Sequence, residues 1–196
     1  MSDLDAVELH GSEDDLRPNP LVLIGGAAAI GLVSALSLPW TVAIASTVLG
    51  MLMLAGADID SRTFLLPDLV TWGAVVCGIF AAALLDATTP WTAAVHAIVR
   101  AGCVASVLAL FRSSYAWLRG SEGLGFGDVK LAAAIGAWLP IEAIPSCFGL
   151  ATSSALLMVM AARLKGQPIM RTTKIPLGAF LCPALWIVFY ADSVMR

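Results

Sequence analysis

The sequence predicts an all-α fold, a polytopic transmembrane helix bundle of about seven spans. Three observations carry this. The chain has 196 residues, of which 59% are hydrophobic and only 13% charged, against about 25% charged in an ordinary soluble domain. Its mean hydropathy is +0.89. Apolar stretches close to the length a spanning helix needs, about 20 residues, recur from residue 20 to residue 193, broken by prolines and short polar segments.

Residues 1–19 stand outside that pattern. They carry Asp3, Asp5, Glu8, Glu13, Asp14 and Asp15 against Arg17. With no basic n-region and no small-residue cleavage site they do not read as a secretory signal. The expectation is an acidic, disordered cytoplasmic tail. The spans that follow are expected at 20–38, 40–58, 68–86, 91–111, 128–140, 142–162 and 176–193. The fifth is short, and its separation from the sixth rests on "LPIEAIP", residues 139–145. Pro39, Pro67, Pro90 and Pro140 fall at span boundaries, where a missing N–H costs least. Small residues, as in "GGAAAIG" (25–31), predict close helix packing. Cys77, Cys103, Cys147 and Cys182 form no C-x-x-C pair and read as small buried hydrophobes, with no disulfide framework or metal site.

The basic residues orient the bundle. Arg17, Arg62, Arg112, Arg119, Lys130, Arg163, Lys165, Arg171 and Lys174 fall at alternate ends or loops, while the loops near 39, 87–90 and 141 hold no Lys or Arg. The positive-inside rule then predicts a cytoplasmic N-terminus and an outer C-terminus. Arg100, within a span, and Arg196 stand apart from this pattern. His96 and Arg100, four residues apart, read as interfacial or bundle-facing polar contacts without assigned chemistry, and Glu142 as a solvated charge in an outer loop. No nucleic-acid partner is expected.

On that orientation two acidic stretches share one membrane face: "ADIDSRTFLLPD" (57–68) and "GLGFGDVKL" (123–131). Ionisable residues within a membrane mark function by default. Two carboxylates a few ångströms apart cannot both ionise easily, so one holds a proton while the other stays anionic. Such a pair can draw a proton from water and protonate a carbonyl oxygen or leaving amine, which is peptide hydrolysis without a covalent intermediate. Gly125 and Gly127 admit two readings here. They allow positive φ and a close substrate approach to Asp128, or they form a flexible loop with Asp128 as N-cap. G-x-G-x-G-D without a preceding strand is neither a dinucleotide fingerprint nor a P-loop. Asp68 either caps the third span or assists the site. Lys130 either pairs with a carboxylate or snorkels to the interface. Arg62 reads as a topology charge rather than a substrate contact.

These residues carry a resemblance. "GFGDVKL" (125–131) resembles the G-x-G-D motif of the type IV prepilin peptidases. "DSRTFLLPD" (60–68) is similar to that family's other motif, an aspartate followed seven residues later by Pro and then Asp or Asn. "IPLGAFL" (175–181) is similar to its late "IPFGPFL"-like segment, with Leu177 and Ala179 as departures. The resemblance runs over roughly 40–193, leaving 20–38 as an extra N-terminal span. It implies a membrane aspartic endopeptidase of the bacterial inner membrane that cuts the basic leader from prepilins at the cytoplasmic face. Asp60 and Asp128 become the catalytic pair, with Gly125, Gly127, Asp68 and Lys130 supporting the loop or the substrate. The spacing to Pro67 selects Asp60 over Asp58, which its two-residue offset puts on another helix face. No metal or organic cofactor is implied. The implied partners are a prepilin, the lipid bilayer and a pilus or type II secretion assembly. The cysteine-rich insertion of the long members is not matched, which implies the short, peptidase-only type found with Flp/Tad pili, without an N-methyltransferase domain. The competing expectations are a proton-coupled transporter, with acids nearer the span centres, and a non-catalytic pilus-assembly scaffold.

Overall fold

The computed structural model describes residues 20–119, 125–165 and 176–196. The acidic tail, Gly123 and parts of the loops before the fifth and seventh spans lie outside the described residues. Within them the chain forms seven helices and no strand: α1 (Pro20–Ser37), α2 (Trp40–Thr63), α3 (Asp68–Leu85), α4 (Pro90–Arg119), α5 (Phe126–Trp138), α6 (Ile144–Leu164) and α7 (Leu177–Met195). Six are long and apolar enough to cross a membrane. The exception is α5, whose 13 residues span only about 20 Å at 1.5 Å per residue.

Proline and turn chemistry set the breaks. Pro39 and Pro67 hold extended backbone as N-caps of α2 and α3, and Pro90 opens α4 where its fixed φ suits the first helical position. Before it, Asp86 Oδ1 accepts the N–H groups of Thr88 and Thr89 at 3.1 and 3.0 Å, an Asx-type turn. The hydrogen bonds from Thr88 and Thr89 hold the exposed Asp86 carboxyl below its usual range, at about 2.

At the centre, α5 packs against α4, α3 and α7, while α2 packs against α1, α3 and α7. Leu131 and Ile135 of α5 are fully enclosed, with Leu49 of α2 and Leu181 and Leu185 of α7. Hydrogen bonds fix the polar side chains drawn into this interior. Trp138 Nε1 donates to the Ala74 carbonyl at 2.7 Å, and its ring meets Phe189 edge-on at 5.2 Å. Ser34 and Ser46 share a buried hydrogen bond of 2.9 Å, and Trp186 Nε1 reaches Ser46 Oγ at 3.1 Å, tying α1 and α7 to α2. Helices α4 and α5 cross closely at Gly136. A methyl group there would stand 2.5 Å from the Arg100 carbonyl oxygen and 2.8 Å from Ala101 Cα, so α4 and α5 touch backbone to backbone.

Several sequence expectations change. Helix α2 runs five residues past the expected 58, carrying both Asp58 and Asp60. Helix α4 continues to Arg119, so residues 112–119 are helix and not loop. A hydropathy ruler measures the length that suits lipid, and a helix extends beyond it wherever its charged end reaches water. The cysteines also divide: Cys147 and Cys182 are buried, but Cys103 is exposed on the bundle surface. An apolar thiol on an outward face suits lipid as well as a core does.

Candidate active site

Four helix ends meet at one end of the bundle: the C-terminus of α2 and the N-termini of α3, α5 and α7. Asp60 lies in the last turn of α2 and is 4% exposed. The turn closes at Phe64, whose backbone is left-handed (φ 57°) and whose N–H donates to the Asp60 carbonyl at 2.9 Å. The chain then doubles back through Leu65–Pro67. The side chain of Asp60 points across the bundle instead. Its Oδ2 accepts the Ala179 N–H at 2.7 Å, and the Gly178 N–H is a second donor to the same carboxyl group. These are first-turn amides of α7, which have no partner within their own helix and favour a negative charge.

Only glycine allows that approach at 178. A methyl group there would stand 2.8 Å from Asp60 Oδ2 and 2.3 Å from Leu66 Cδ1. Leu66 also abuts Gly127, where a methyl group would come within 3.1 Å of Leu66 Cβ. Leu66 thus wedges between the start of α5 and the start of α7.

Asp128 is the third residue of α5, not its N-cap. Gly125 takes the cap position with extended backbone (φ −70°, ψ 151°). Asp128 Oδ2 accepts the Gly125 N–H at 3.3 Å, the return half of a capping box. Asp128 is half-buried. Its carboxylate and that of Asp60 lie within electrostatic range of each other, and both lie within range of the Cys182 thiol. The two aspartates named from the sequence are therefore neighbours, and both sit near helix ends rather than at span centres.

The positive-φ reading of the glycines does not hold. Among the described residues no glycine occupies the left-handed region, and Gly127 is helical. Absence of a side chain at 127 serves the contact with Leu66 and not an unusual backbone. The capping reading of Asp68 also changes. As first residue of α3 it makes no side-chain cap bond, and its Oδ1 instead pairs with Lys130 Nζ. Lys130 further lies 5.1 Å from the Phe126 ring centroid, over which Arg112 stands at 5.8 Å. Asp58 forms an ion pair of 2.7 Å with Arg62, one turn along the same helix. Two charged pairs, Asp58–Arg62 and Asp68–Lys130, thus stand on the elements that carry Asp60 and Asp128 or flank them.

Sequence reasoning assigned no role to Leu66, Gly178 or Ala179. The signal for the last two lay in "IPLGAFL", quoted there for resemblance alone. His96 is exposed and Arg100 half-buried, both far from the aspartates. Among the described residues no cluster of three or more His, Cys, Asp or Glu side chains is arranged to hold a metal ion.

Comparison with known proteins agrees with this architecture. The profile of a family described as the type IV leader peptidase family matches residues 47–162, which include both aspartates. A prepilin leader peptidase/N-methyltransferase of Burkholderia pseudomallei is 35% identical over 169 residues, 83% of this chain and 51% of the relative. One from Klebsiella pneumoniae is 33% identical over 138 residues, 69% of this chain and 58% of the relative. One from Aeromonas hydrophila is 30% identical over 185 residues, 90% of this chain and 60% of the relative. The chain spans between about half and three-fifths of the length of these relatives. No solved structure matches. With the matched segment covering more than half of the chain and holding both aspartates, the chain belongs to the type IV leader peptidase family, a family of proteases.

Proposed function

We propose that the chain is a membrane aspartic endopeptidase that removes the basic leader from Flp-like type IV prepilins. Asp60 and Asp128 share the work of general base and general acid. One carboxylate takes a proton from a water molecule held between the two, and that water attacks the scissile carbonyl carbon. The partner carboxyl protonates the carbonyl oxygen and is left anionic; as the tetrahedral diol breaks down it takes a hydroxyl proton back, while the first carboxyl gives the proton it took from water to the departing amine, so the pair again holds one proton at the end of each cycle. The observation that carries this reading is the meeting of the two aspartates at one end of the bundle, with Asp60 clasped by the amides of α7.

The same reading places the site at the cytoplasmic face of the inner membrane. Arg62, Arg112 and Lys130 all cluster at the aspartate end, and cytoplasmic ends carry the excess of Lys and Arg. Asp68 and Lys130 brace the mouth of the site through their ion pair, and Gly125 and Gly127 seat the first turn of α5 that carries Asp128. The substrate is a basic leader followed by an apolar helix, which would enter from the bilayer beside the site and hand its product to a pilus or type II secretion assembly.

The test is cleavage of a tagged prepilin by membranes holding the wild-type chain, Asp60→Asn or Asp128→Asn, at equal membrane abundance. The wild type should shorten the prepilin, and each variant should lose at least about 100-fold in rate, the low end for general acid–base catalysis. Unchanged cleavage by either variant would remove that aspartate from the mechanism.

A further inference from the structure

Arg100 is a charge that the proposed chemistry leaves unused. It is the eleventh residue of α4, about 15 Å along the axis from Pro90, near the middle of a hydrocarbon core about 30 Å thick. Ionisable side chains at that depth are rare and costly. Its Nε donates to the Gly136 carbonyl of α5 at 3.2 Å.

That carbonyl needs an outside donor for a reason written in the sequence. In a continuing helix it would accept the N–H four residues on. Residue 140 is proline, which has no N–H. The chain turns extended at Leu139, whose own N–H goes to the Ile135 carbonyl. Arg100 supplies the bond that Pro140 withholds. The rest of its guanidinium lines a cavity of about 650 Å³ at the end of the bundle away from the aspartates, an arrangement that lets a membrane-buried charge stay hydrated.

Polar contacts tie α5 to α3 and α4 at both of its ends. At the aspartate end Lys130 pairs with Asp68 of α3, and Arg112 of α4 stands over the Phe126 ring. Both contacts lie at the surface, with the Asp68 side chain 71% exposed and Phe126 59% exposed, where charges hold weakly. At the other end Trp138 Nε1 bonds the Ala74 carbonyl of α3, and Arg100 of α4 bonds Gly136. Inside the bundle a hydrogen bond is stronger than at the surface.

A spanning helix takes its depth from the two interfaces at its ends. With 13 residues, about 20 Å, α5 reaches only one of them. Its depth is set by the bonds at its inner end. Gly136 stands about 12 Å along the same stiff helix from Asp128, so a movement at one is passed to the other.

We propose that Arg100 is a positioning residue for the reaction: by holding Gly136 it fixes the depth and tilt of α5, and so the place of Asp128 against Asp60. This rests on the reading of Asp60 and Asp128 as the catalytic pair. The hydrogen bond carries the effect, and the positive charge does not.

The experiment compares Arg100→Gln with Arg100→Met in the full chain. Glutamine places an amide nitrogen where arginine carries Nε, so the donor stays and the charge goes. Methionine has the same length and supplies neither. Prepilin cleavage is measured as kcat and KM per folded molecule. Arg100→Met should lose about 100-fold in kcat, the cost of roughly 1 Å at a reacting group, with KM unchanged. Arg100→Gln should keep most of its kcat. A second readout does not depend on cleavage. Spin labels at Trp40→Cys and Phe126→Cys, both exposed positions, report where the start of α5 stands against α2 in a chain whose Cys77 and Cys103 are replaced by alanine. The distance distribution should match the wild type in Arg100→Gln and shift or broaden in Arg100→Met.

A fall in kcat as deep in Arg100→Gln as in Arg100→Met would assign the effect to the charge and overturn the proposal, and the glutamine arm decides this even if Arg100→Met does not fold. Less folded protein in Arg100→Met with kcat per folded molecule intact would leave Arg100 a support of the fold alone and overturn it as well, as would a loss carried by KM. A wild type that cuts no prepilin would sink the reading of the site. Identical label distances in all three chains would sink the role of Arg100.

Discussion

Asp60 Oδ2 and the Ala179 N–H lie 2.7 Å apart, although 119 residues separate them in the chain. This hydrogen bond joins the last turn of α2 to the first turn of α7 and aims the Asp60 carboxylate at the α5 terminus. A charge-assisted bond of this kind is worth about 1.5–3 kcal/mol, and its larger effect is positional.

Gly178→Ala should therefore abolish cleavage while the protein still inserts. The added methyl meets the Asp60 carboxylate at 2.8 Å, and a displacement of about 1 Å at a reacting group costs roughly 100-fold in rate. The measurement is prepilin cleavage against membrane abundance. Near-normal cleavage would show that α7 does not position Asp60.

Gly127→Ala should be milder in origin than a backbone-strain argument implies. The methyl would press on Leu66 Cβ at 3.1 Å, which a shift of a few tenths of an ångström relieves. We expect a reduced rate that Leu66→Gly, and not Leu66→Ala, partly restores in the double variant, because the atom met is Cβ, which alanine keeps. Asp128→Glu should fail in either background, since its carboxylate moves by a methylene from Gly125 and from Asp60. Rescue of Gly127→Ala by Leu66→Gly, scored as the double-mutant coupling in cleavage rate, decides whether the glycine serves that contact.

Gly136→Ala should damage the fold rather than the chemistry. Its methyl would meet the backbone of Arg100 at 2.5 Å, and neither helix can yield there without parting. Membrane abundance and detergent stability should both fall sharply, unlike those of Gly102→Ala, whose added methyl meets nothing within 4 Å. Equal abundance of the two variants would contradict the close crossing of α4 and α5.

The turn at Asp86 gives a pH-dependent effect of definite sign. Its carboxyl in the folded chain titrates at about 2, below the ordinary value near 3.9. The stabilisation it supplies is present above the ordinary value and fades as pH falls through the folded one. Asp86→Asn should thus lower the melting temperature at pH 6, and the gap to wild type should close as pH approaches 2. A gap independent of pH would assign the loss to something other than the carboxylate.

Much of the site was readable before the fold. Acidic residues at span ends pointed to the stretch 57–68 and to Asp128, the resemblance chose Asp60 within that stretch, and the prolines marked the breaks, because these signals are local. The clasp of Asp60 by Gly178 and Ala179 was not readable as a contact. It depends on how α7 meets α2, and a backbone amide leaves no trace in residue type. The true length of α2 was missed because Asp58 and Asp60 look like an exit from lipid, whereas the pairing of Asp58 with Arg62 keeps the helix going. The glycines before Asp128 suggested backbone freedom, yet at Gly127 what counts is the volume that a side chain would take from Leu66.

The shortness of α5 has an electrical consequence. Between the aspartate end and the opposite end of the bundle lies a helix of only 13 residues, about 20 Å where the surrounding hydrocarbon offers about 30 Å. The voltage across an energised membrane then drops over a thinner insulator at this point than in the lipid around it. Leu131 and Ile135, both wholly enclosed, are the apolar filling of that insulator.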